Sequence, residues 1–591
     1  MVATPPPVLP EVPLSQQPIT FDNLPDDLAL SIVKQQFNYA EMERTRNYDQ
    51  KWNEVEALYE GVVPQKIWPG SESQQPGGVP RSSLPYNISF DHVEGPIARI
   101  EAELFSNPEW FDMEARAGTT TQEARDQFAV IDRDLTAINE ETFCSGMEEI
   151  RSSIRGSIMY GTALGLIEFI GSQCYVEDLD LKNVFVDPAA RRSGKIDSAR
   201  FVIVRKPITA EEISQMRENP DYTIPSDSIL QYLLMTPDVS QSDSTVANTE
   251  SIRGTIYNPG SSDVGPLPSL NNIVLYRYYS KKHIIYTLNN RVVIYKAKNP
   301  YPSGFYPIYS WVCREKKGRF YGAGYPEAIR WYQRAAEGIQ NAHYDELALG
   351  INAAVTGPAS ASAQDLAIRP GRYVTVENPQ DVIRHEPTNI TQNAFVEIAQ
   401  LVDQADRRNG MGMSSGSARP GQVRTKAGVD AQTHGADNRI AYVVRNITAG
   451  LRIMITKMRM MYRIHTSPEQ ILIQAREGDQ KSRPITAAIF HRPADVRVET
   501  AERMLTRDRL SAIITPVLQT YLNPAYIDNL AQQGETVDWR QIDQFIGDAT
   551  GLRNKYSFVV PMSPEQQQSR QQPPPQVIAQ MQAKQGDQQI R

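Results

Sequence analysis

Residues 24–60 and 88–160 carry the polar–apolar spacing of amphipathic helices, with Val93, Ile97, Ile100 and Leu104 three or four positions apart. Residues 163–205 and 272–313 change period. Runs such as LGLIEFI, NVFVDP, ARFVIVRK, NIVLYRYYS, RVVIYKA and FYPIYSWVC are β-branched and aromatic, and Gly, Pro, Asn and Asp punctuate them; these predict strands. A helix is predicted from Pro326, a residue suited to the first turn, to a stop at Gly350. Residues 351–390 read as a small irregular or β unit. A second helix is predicted from Thr391, its N-cap, to Asn409-Gly410, with Phe395, Ile398, Leu401, Val402 and Ala405 on one face. After a Gly-, Ser- and base-rich loop comes the strongest amphipathic helix, expected to begin near Asp437. Its Ile440, Val443, Val444, Ile447, Leu451, Met454, Ile455 and Met458 keep the helical period. The remainder, 471–560, reads as mostly helical after a strand near Val496–Val498.

Composition changes this picture mainly at the ends. Residues 1–20 hold six prolines and the last 27 residues hold eleven glutamines, so both are expected to be flexible. The stretch 236–271, rich in Ser, Pro and Gly, reads as a long loop inside a domain. The N-terminus lacks the basic and apolar regions of a signal peptide. No apolar run reaches the length of a membrane helix; Ile158 to Gly171 is too short and carries Glu168. Three widely spaced cysteines, Cys144, Cys174 and Cys313, read as buried free thiols of a reducing compartment. A net charge of −8 over 591 residues argues against a protein that simply coats nucleic acid. An acidic protein with a few local basic contacts still suits a polymer that must slide past it.

No catalytic constellation emerges, and no cofactor is implied. Gly416 to Gly421 is the nearest approach to a phosphate-cradling loop. It lacks the Lys that meets phosphate and the hydroxyl that holds Mg²⁺. The seven histidines are scattered, so zinc catalysis has no ligand pair to start from. Glu177, Asp178 and Asp180 read as a solvated turn between strands rather than a nuclease metal site.

Three stretches, in this order, resemble the portal proteins of tailed bacteriophages, in particular those of short-tailed phages. WNEVEALYEG (Trp52 to Gly61) is similar to the family's early helix. FVDPAARRSGKIDSARFVIVRKPITAEEI (Phe185 to Ile213) is similar to its Asp-Pro turn, second acidic turn, strand and helix start. NPYPSGFYPIYSWVCREKKGRFYGAGYPEAIRWYQRAAEGIQNAHYDEL (Asn299 to Leu347) is similar to its Pro-aromatic strand, Tyr-Gly-x-Gly turn and stem helix with Gln333 and Asn341. The tail departs from the family: it is too short and too Pro/Gln-broken for the helical barrel that some of these portals carry.

The resemblance implies an α+β portal fold. Its map would be a flexible arm over 1–20, the helical part of a wing over 21–160, and a β-rich wing over 161–315. A stem helix (316–350), clip (351–390), second stem helix (391–410), tunnel loop (411–428) and long wing helix (429–470) would follow. A mostly helical crown (471–560) and a flexible tail (561–591) would end the chain. The implied function is a ring, typically of twelve subunits, at one capsid vertex of the virion, assembled in the host cytoplasm. It would conduct double-stranded DNA without reading sequence. Its implied partners are the terminase, then tail adaptor proteins, with capsid and scaffolding proteins, and no membrane. The rivals are a capsid or tail protein without a channel, and a packaging enzyme.

Arg419, Arg424 and Lys426, on the glycine-rich loop between Gly410 and Gly428, would touch phosphates if that loop projects into a channel, as the resemblance implies. Otherwise they keep a surface loop soluble. In the insert, Arg369, Arg372 and Arg384 would meet a tail adaptor or the motor, or pair within the insert. Arg445, Arg452 and Arg459 repeat every seven residues as a solvated or inter-subunit face, or as a DNA contact. Acidic positions on the two stem helices (Glu327, Glu337, Asp345, Glu346, Glu397, Asp403 and Asp406) would either repel DNA from the channel wall or face neighbouring subunits.

Overall fold

The computed structural model describes residues 25–63, 66, 81–105, 110–138, 143–235, 273–351, 355–356, 383–384, 391–410, 426–477 and 481–498. The chain divides into units Met1–Val498 and Glu499–Arg591, and the second lies wholly outside the described residues. So do the expected N-terminal arm and C-terminal tail, the loop 236–271, and most of the insert and of the base-rich loop.

Helix and strand are mixed, as an α+β chain requires. Helices α1 (Asp26–Arg44) and α2 (Gln50–Glu60) flank a π-helical turn, Thr45–Asp49. Then come α3 (Ile88–Phe105), strand β1 (Phe111–Ala115), α4 (Thr121–Thr136) and α5 (Gly146–Tyr160). Both α4 and α5 open with a capping box, Thr120 with Glu123 and Ser145 with Glu148, so their starts are written locally.

The expected β-rich stretches form two antiparallel sheets. One has the order β3 (Gln173–Leu179), β2 (Thr162–Ile170), β9 (Ile308–Val312). The other runs β4 (Val184–Val186), β5 (Phe201–Ile208), β6 (Ile273–Ser280), β7 (His283–Leu288), β8 (Val292–Lys298). Between β5 and β6 the described residues include two short helices, α6 (Ala210–Met216) and α7 (Asp227–Met235). Three longer helices follow among the described residues: α8 (Tyr325–Ile351), α9 (Thr391–Asn409) and α10 (Lys426–His465). The insert between α8 and α9 contains a two-residue ladder, β10 (Val355–Thr356) with β11 (Ile383–Arg384).

Helix α10 organises the core. Ile440, Val443, Val444, Ile447, Leu451, Met454, Ile455 and Met458 are all buried, as their period predicts, and each such burial is worth about 1.5–3 kcal/mol. They share one cluster with Val93, Ile97, Ile100 and Leu104 of α3 and with Tyr309 and Trp311 of β9. The two β9 rings stack at 5.1 Å, and a glycine opposes each of them. A Cβ at Gly165, the cross-strand neighbour of Tyr309, would sit 2.0 Å from its ring; one at Gly450 would sit 2.5 Å from Trp311 Cβ. The Tyr309 ring lies over its neighbouring strand, and α10 approaches the sheet at Trp311, only because those two positions lack side chains.

The structure corrects four expectations. The block 88–160 contains a strand, because Phe111 and Met113 alternate inward and pair with β14 (Ala494–Val498). Residues 471–486 form a hairpin, β12 (Ile471–Glu477) with β13 (Lys481–Thr486); ILIQARE has the two-residue period of a strand. Helix α10 begins at Lys426 rather than near Asp437. Its two early glycines, Gly428 and Gly435, each cost about 1 kcal/mol against alanine and do not stop it. Cys174 and Cys313 are buried free thiols, but Cys144 is only half-buried.

Candidate functional site: the helix pair and its fastenings

Helices α8 and α9 pack through a narrow inner seam. Ile329, Ala336, Ile398 and Ala405 are buried there with Ile88, and Ile339, Leu401 and Val402 lie at its edges. Four polar residues of α8, Gln333, Glu337, Asn341 and Asp345, follow one another at four-residue spacing and so form a single row. The row fastens residues 81–89, a non-helical strap (81–87) that runs into the first turn of α3. Asp345 accepts from Ser82 N (2.8 Å). Asn341 accepts from Leu84 N (2.7 Å) and donates to Leu84 O (3.0 Å). Gln333, fully buried, accepts from Ser89 N (2.9 Å) and donates to Leu58 O (3.0 Å) and to Glu337 (3.1 Å).

A second fastening holds the end of α9. His92 Nε2 meets Asp406 Oδ1 at 2.9 Å, and Asn409 Nδ2 meets the other ring nitrogen at 2.9 Å. Asn409 also accepts from Arg314 (3.1 Å), whose guanidinium lies 4.2 Å over the Tyr325 ring. Burial pushes the Tyr325 hydroxyl up to about 12 and the adjacent Cys313 thiol likewise to about 12. Gly410 ends α9 with a positive φ of 77°. Arg439 of α10 then donates to Arg408 O (3.2 Å), placing a cation on the α9 carbonyl end. The first thirteen residues of α10 precede this clamp and extend about 20 Å.

Outside the seam both helices keep apolar side chains in the open. Trp331 and Val396 each lie two residues, or about 200° of turn, from a buried seam residue, and they are 67% and 58% exposed. Phe395, expected in the inner stripe, is 59% exposed; it sits at the stripe's edge, where its ring touches only His343 (5.3 Å) among the described aromatic residues.

The stretches that carry the resemblance turn out to be joints. Asp187 of the Asp-Pro turn is buried and held by Arg200 at 2.7 Å. Asp197 of the second acidic turn accepts from Tyr306 N (3.1 Å) and pairs with Lys457 of α10 (2.8 Å). Lys457 is buried and also donates to Tyr306 O (3.0 Å) and Ile308 O (2.6 Å). In the Tyr-Gly-x-Gly turn, Gly322 N donates to Thr162 Oγ1 (2.9 Å), and a Cβ at Gly324 would lie 2.2 Å from Met159 O. A model of the phage SU10 portal protein family matches residues 118–591, well over half of the chain. The chain belongs to the phage SU10 portal protein family. It is therefore a bacteriophage portal protein of the short-tailed-phage type. No curated protein matches it significantly. The family match takes in the joints after residue 118 and the α8–α9 pair; α1, α2 and α3, with the strap, precede it.

The sequence-predicted site residues of this portal protein fall largely beyond the described structure. Arg419 and Arg424 of the loop lie outside it, as do Arg369 and Arg372 of the insert. Lys426 is the first residue of α10 rather than part of a loop, and Arg384 ends β11. The acidic positions divide. Glu337 and Asp406 are buried within the chain, Asp345 holds the strap, and Glu327 pairs with Lys316 (2.8 Å). These four do not form an open repulsive wall. Glu397 is exposed, and Asp403 pairs with Arg407 (2.7 Å). The arginine stripe divides as well: Arg445 and Arg452 are exposed, while Arg459 donates to Arg492 O (3.1 Å).

The acidic trio is not a solvated turn. Glu177 and Asp178 lie within β3, and Asp180 caps a short 3₁₀ turn. Asp178 accepts from Ser152 (2.7 Å) and Ser153 (2.5 Å), and burial raises its carboxyl to about 6. Among the described residues no group of three or more His, Cys, Asp or Glu could hold a metal ion. None of the described helices is long and apolar enough to cross a membrane.

Proposed function

We propose that this portal protein assembles head-to-tail into a closed ring whose channel conducts double-stranded DNA into and out of the phage head. Family membership supports the role, and one observation carries the ring: Trp331 and Val396 stand outward on the two helices that the chain itself pairs. A single chain covers one seam of α8 and α9 and leaves their outer faces to neighbours. Heterologous contacts of this kind close into a ring when the rotation per subunit allows. Twelve is the expected number. The protein does no chemistry of its own in this reading. The terminase would dock on the insert that contains Arg369, Arg372 and Arg384 and later give way to tail adaptor proteins, while capsid and scaffolding proteins hold the ring at one vertex.

The loop 411–425 and the start of α10 would supply the moving contacts with DNA through Arg419, Arg424 and Lys426. The clamp of Arg439 on α9 supports this, since it anchors both elements beside the loop. Replacing the three basic residues by alanine should leave ring size unchanged and lower the DNA retained in assembled particles. Unchanged DNA content and infectivity would remove the loop from the mechanism.

A further inference from the structure

Two loops far apart in sequence meet beside the start of α8. Arg191-Arg192-Ser193-Gly194-Lys195 follows the Asp-Pro turn, and Lys316-Lys317-Gly318-Arg319 precedes the Tyr-Gly-x-Gly turn. Gly194 N donates to Phe320 O (3.1 Å), Lys316 N to Ser193 Oγ (3.4 Å), and Ser310 Oγ to Gly194 O (2.9 Å). Gly194 and Gly318 turn the two loops with φ of 61° and 76°. The result is a ridge with a fixed backbone.

Arg191, Arg192, Lys195, Lys317 and Arg319 are all exposed on this ridge. Arg319 hydrogen-bonds Tyr48, and among the described residues none of the five pairs with a carboxylate. Three neighbouring acids are already paired, Asp187 with Arg200, Asp197 with Lys457 and Glu327 with Lys316, while Glu43, which accepts from Asn47 (2.7 Å), keeps its charge at the edge of the first cleft described below. The two loops contain no acid, and Glu315 lies exposed directly before the second. A cleft opens on each flank. Arg191 and Arg319 line one of about 340 Å³, and Arg192 and Lys195 line the other, of about 380 Å³.

We infer that this ridge is a sequence-independent binding surface for the phosphate backbone of double-stranded DNA, separate from the channel loop. The chain carries a net charge of −8, so its general surface repels DNA and contact requires a local cationic site. Three of the five cations are arginines, whose planar fork meets phosphate oxygens two at a time. The exposed side chains of the ridge include no large apolar anchor of the kind a protein partner uses. The ridge exists within each single chain, so its DNA contact does not depend on ring closure.

The test is anisotropy of a labelled random-sequence duplex titrated with the purified full-length protein at several salt concentrations, beside labelled polyglutamate. The wild-type protein should bind the duplex more tightly than polyglutamate, and salt should weaken it. Changing Arg191, Arg192, Lys195, Lys317 and Arg319 to serine should weaken duplex binding roughly tenfold or more. It should also flatten the salt dependence by about 0.9 for each phosphate that is no longer neutralised. The milder set R191K, R192K and R319K keeps the charge and should keep most of the affinity, whether or not the serine variant folds well. Duplex binding unaltered by the serine set overturns the assignment. So does tighter binding to polyglutamate, or loss of rings with DNA binding retained, either of which would make the ridge a protein-contact surface.

Discussion

Asp178 shows how a side chain that resembles part of an acidic site is used for packing. It sits on β3 beneath two α5 hydroxyls, Ser152 and Ser153, with Tyr309 behind the second at 2.8 Å. Burial raises its carboxyl to about 6, with the Glu149 and Asp180 charges adding to the rise. A raised carboxyl binds more protons in the folded than in the unfolded chain between about pH 4 and 6. Its contribution to stability is therefore greatest below that window and falls as pH rises through it. Asp178→Asn removes the titration. The wild-type protein should lose about 1–2 kcal/mol relative to this variant between pH 4.5 and 7, read from thermal or denaturant midpoints at several pH values. A stability difference that does not change with pH would contradict this role for the carboxyl. Lys457 is a related case. It follows Thr456 in a helix rich in charge, and nothing in its sequence neighbourhood distinguishes it from a solvated lysine. Its three acceptors, Asp197, Tyr306 and Ile308, lie in other elements, so only the fold reveals that its ammonium is buried.

Among the elements, those with a long, regular period were legible. The buried face of α10, the bounds of α9 and nearly those of α8, and the blocks of strands all follow from spacing and from stop signals such as Gly410. Elements whose partners are remote were not. Strand β1 is five residues long inside a helical block, and it pairs with β14, almost at the other end of the described chain. The polar row Gln333, Glu337, Asn341 and Asp345 has a visible spacing of four, yet what it holds comes from residues 81–89. The same pair of helices carries the interface prediction. Trp331→Glu or Val396→Glu places a charge at a largely exposed position on an outer face. Each should leave the monomer's thermal midpoint within a few degrees of wild type, since exposed substitutions rarely cost more than about 0.5 kcal/mol. Each should reduce the fraction of protein sedimenting as a large assembly. Intact assemblies in both variants would show that these faces are not buried between subunits.

At the scale of the whole molecule, family membership and the two-helix seam point the same way. The described structure is two sheets with helices packed on them, a pair of helices fastened to the strap and to α3, and a long helix that anchors the core. Charge divides accordingly: acids such as Asp187, Asp197, Glu337 and Asp406 are spent on internal joints, while the cations of the ridge remain in the open. This distribution was not legible from net charge, because −8 counts paired and unpaired groups alike. Both ridge loops lie within stretches similar to the family, and only the hydrogen bonds of Ser193 and Gly194 with Lys316 and Phe320 show that they are neighbours.

Ring closure is the central claim, and native mass measurement of the purified chain, combined with negative-stain images, tests it most directly. A subunit of 66.4 kDa should give one dominant closed species of about twelve copies, seen end-on as a ring with a central hole. A stable, monodisperse monomer at micromolar concentration, or an open assembly without a central hole, would contradict it.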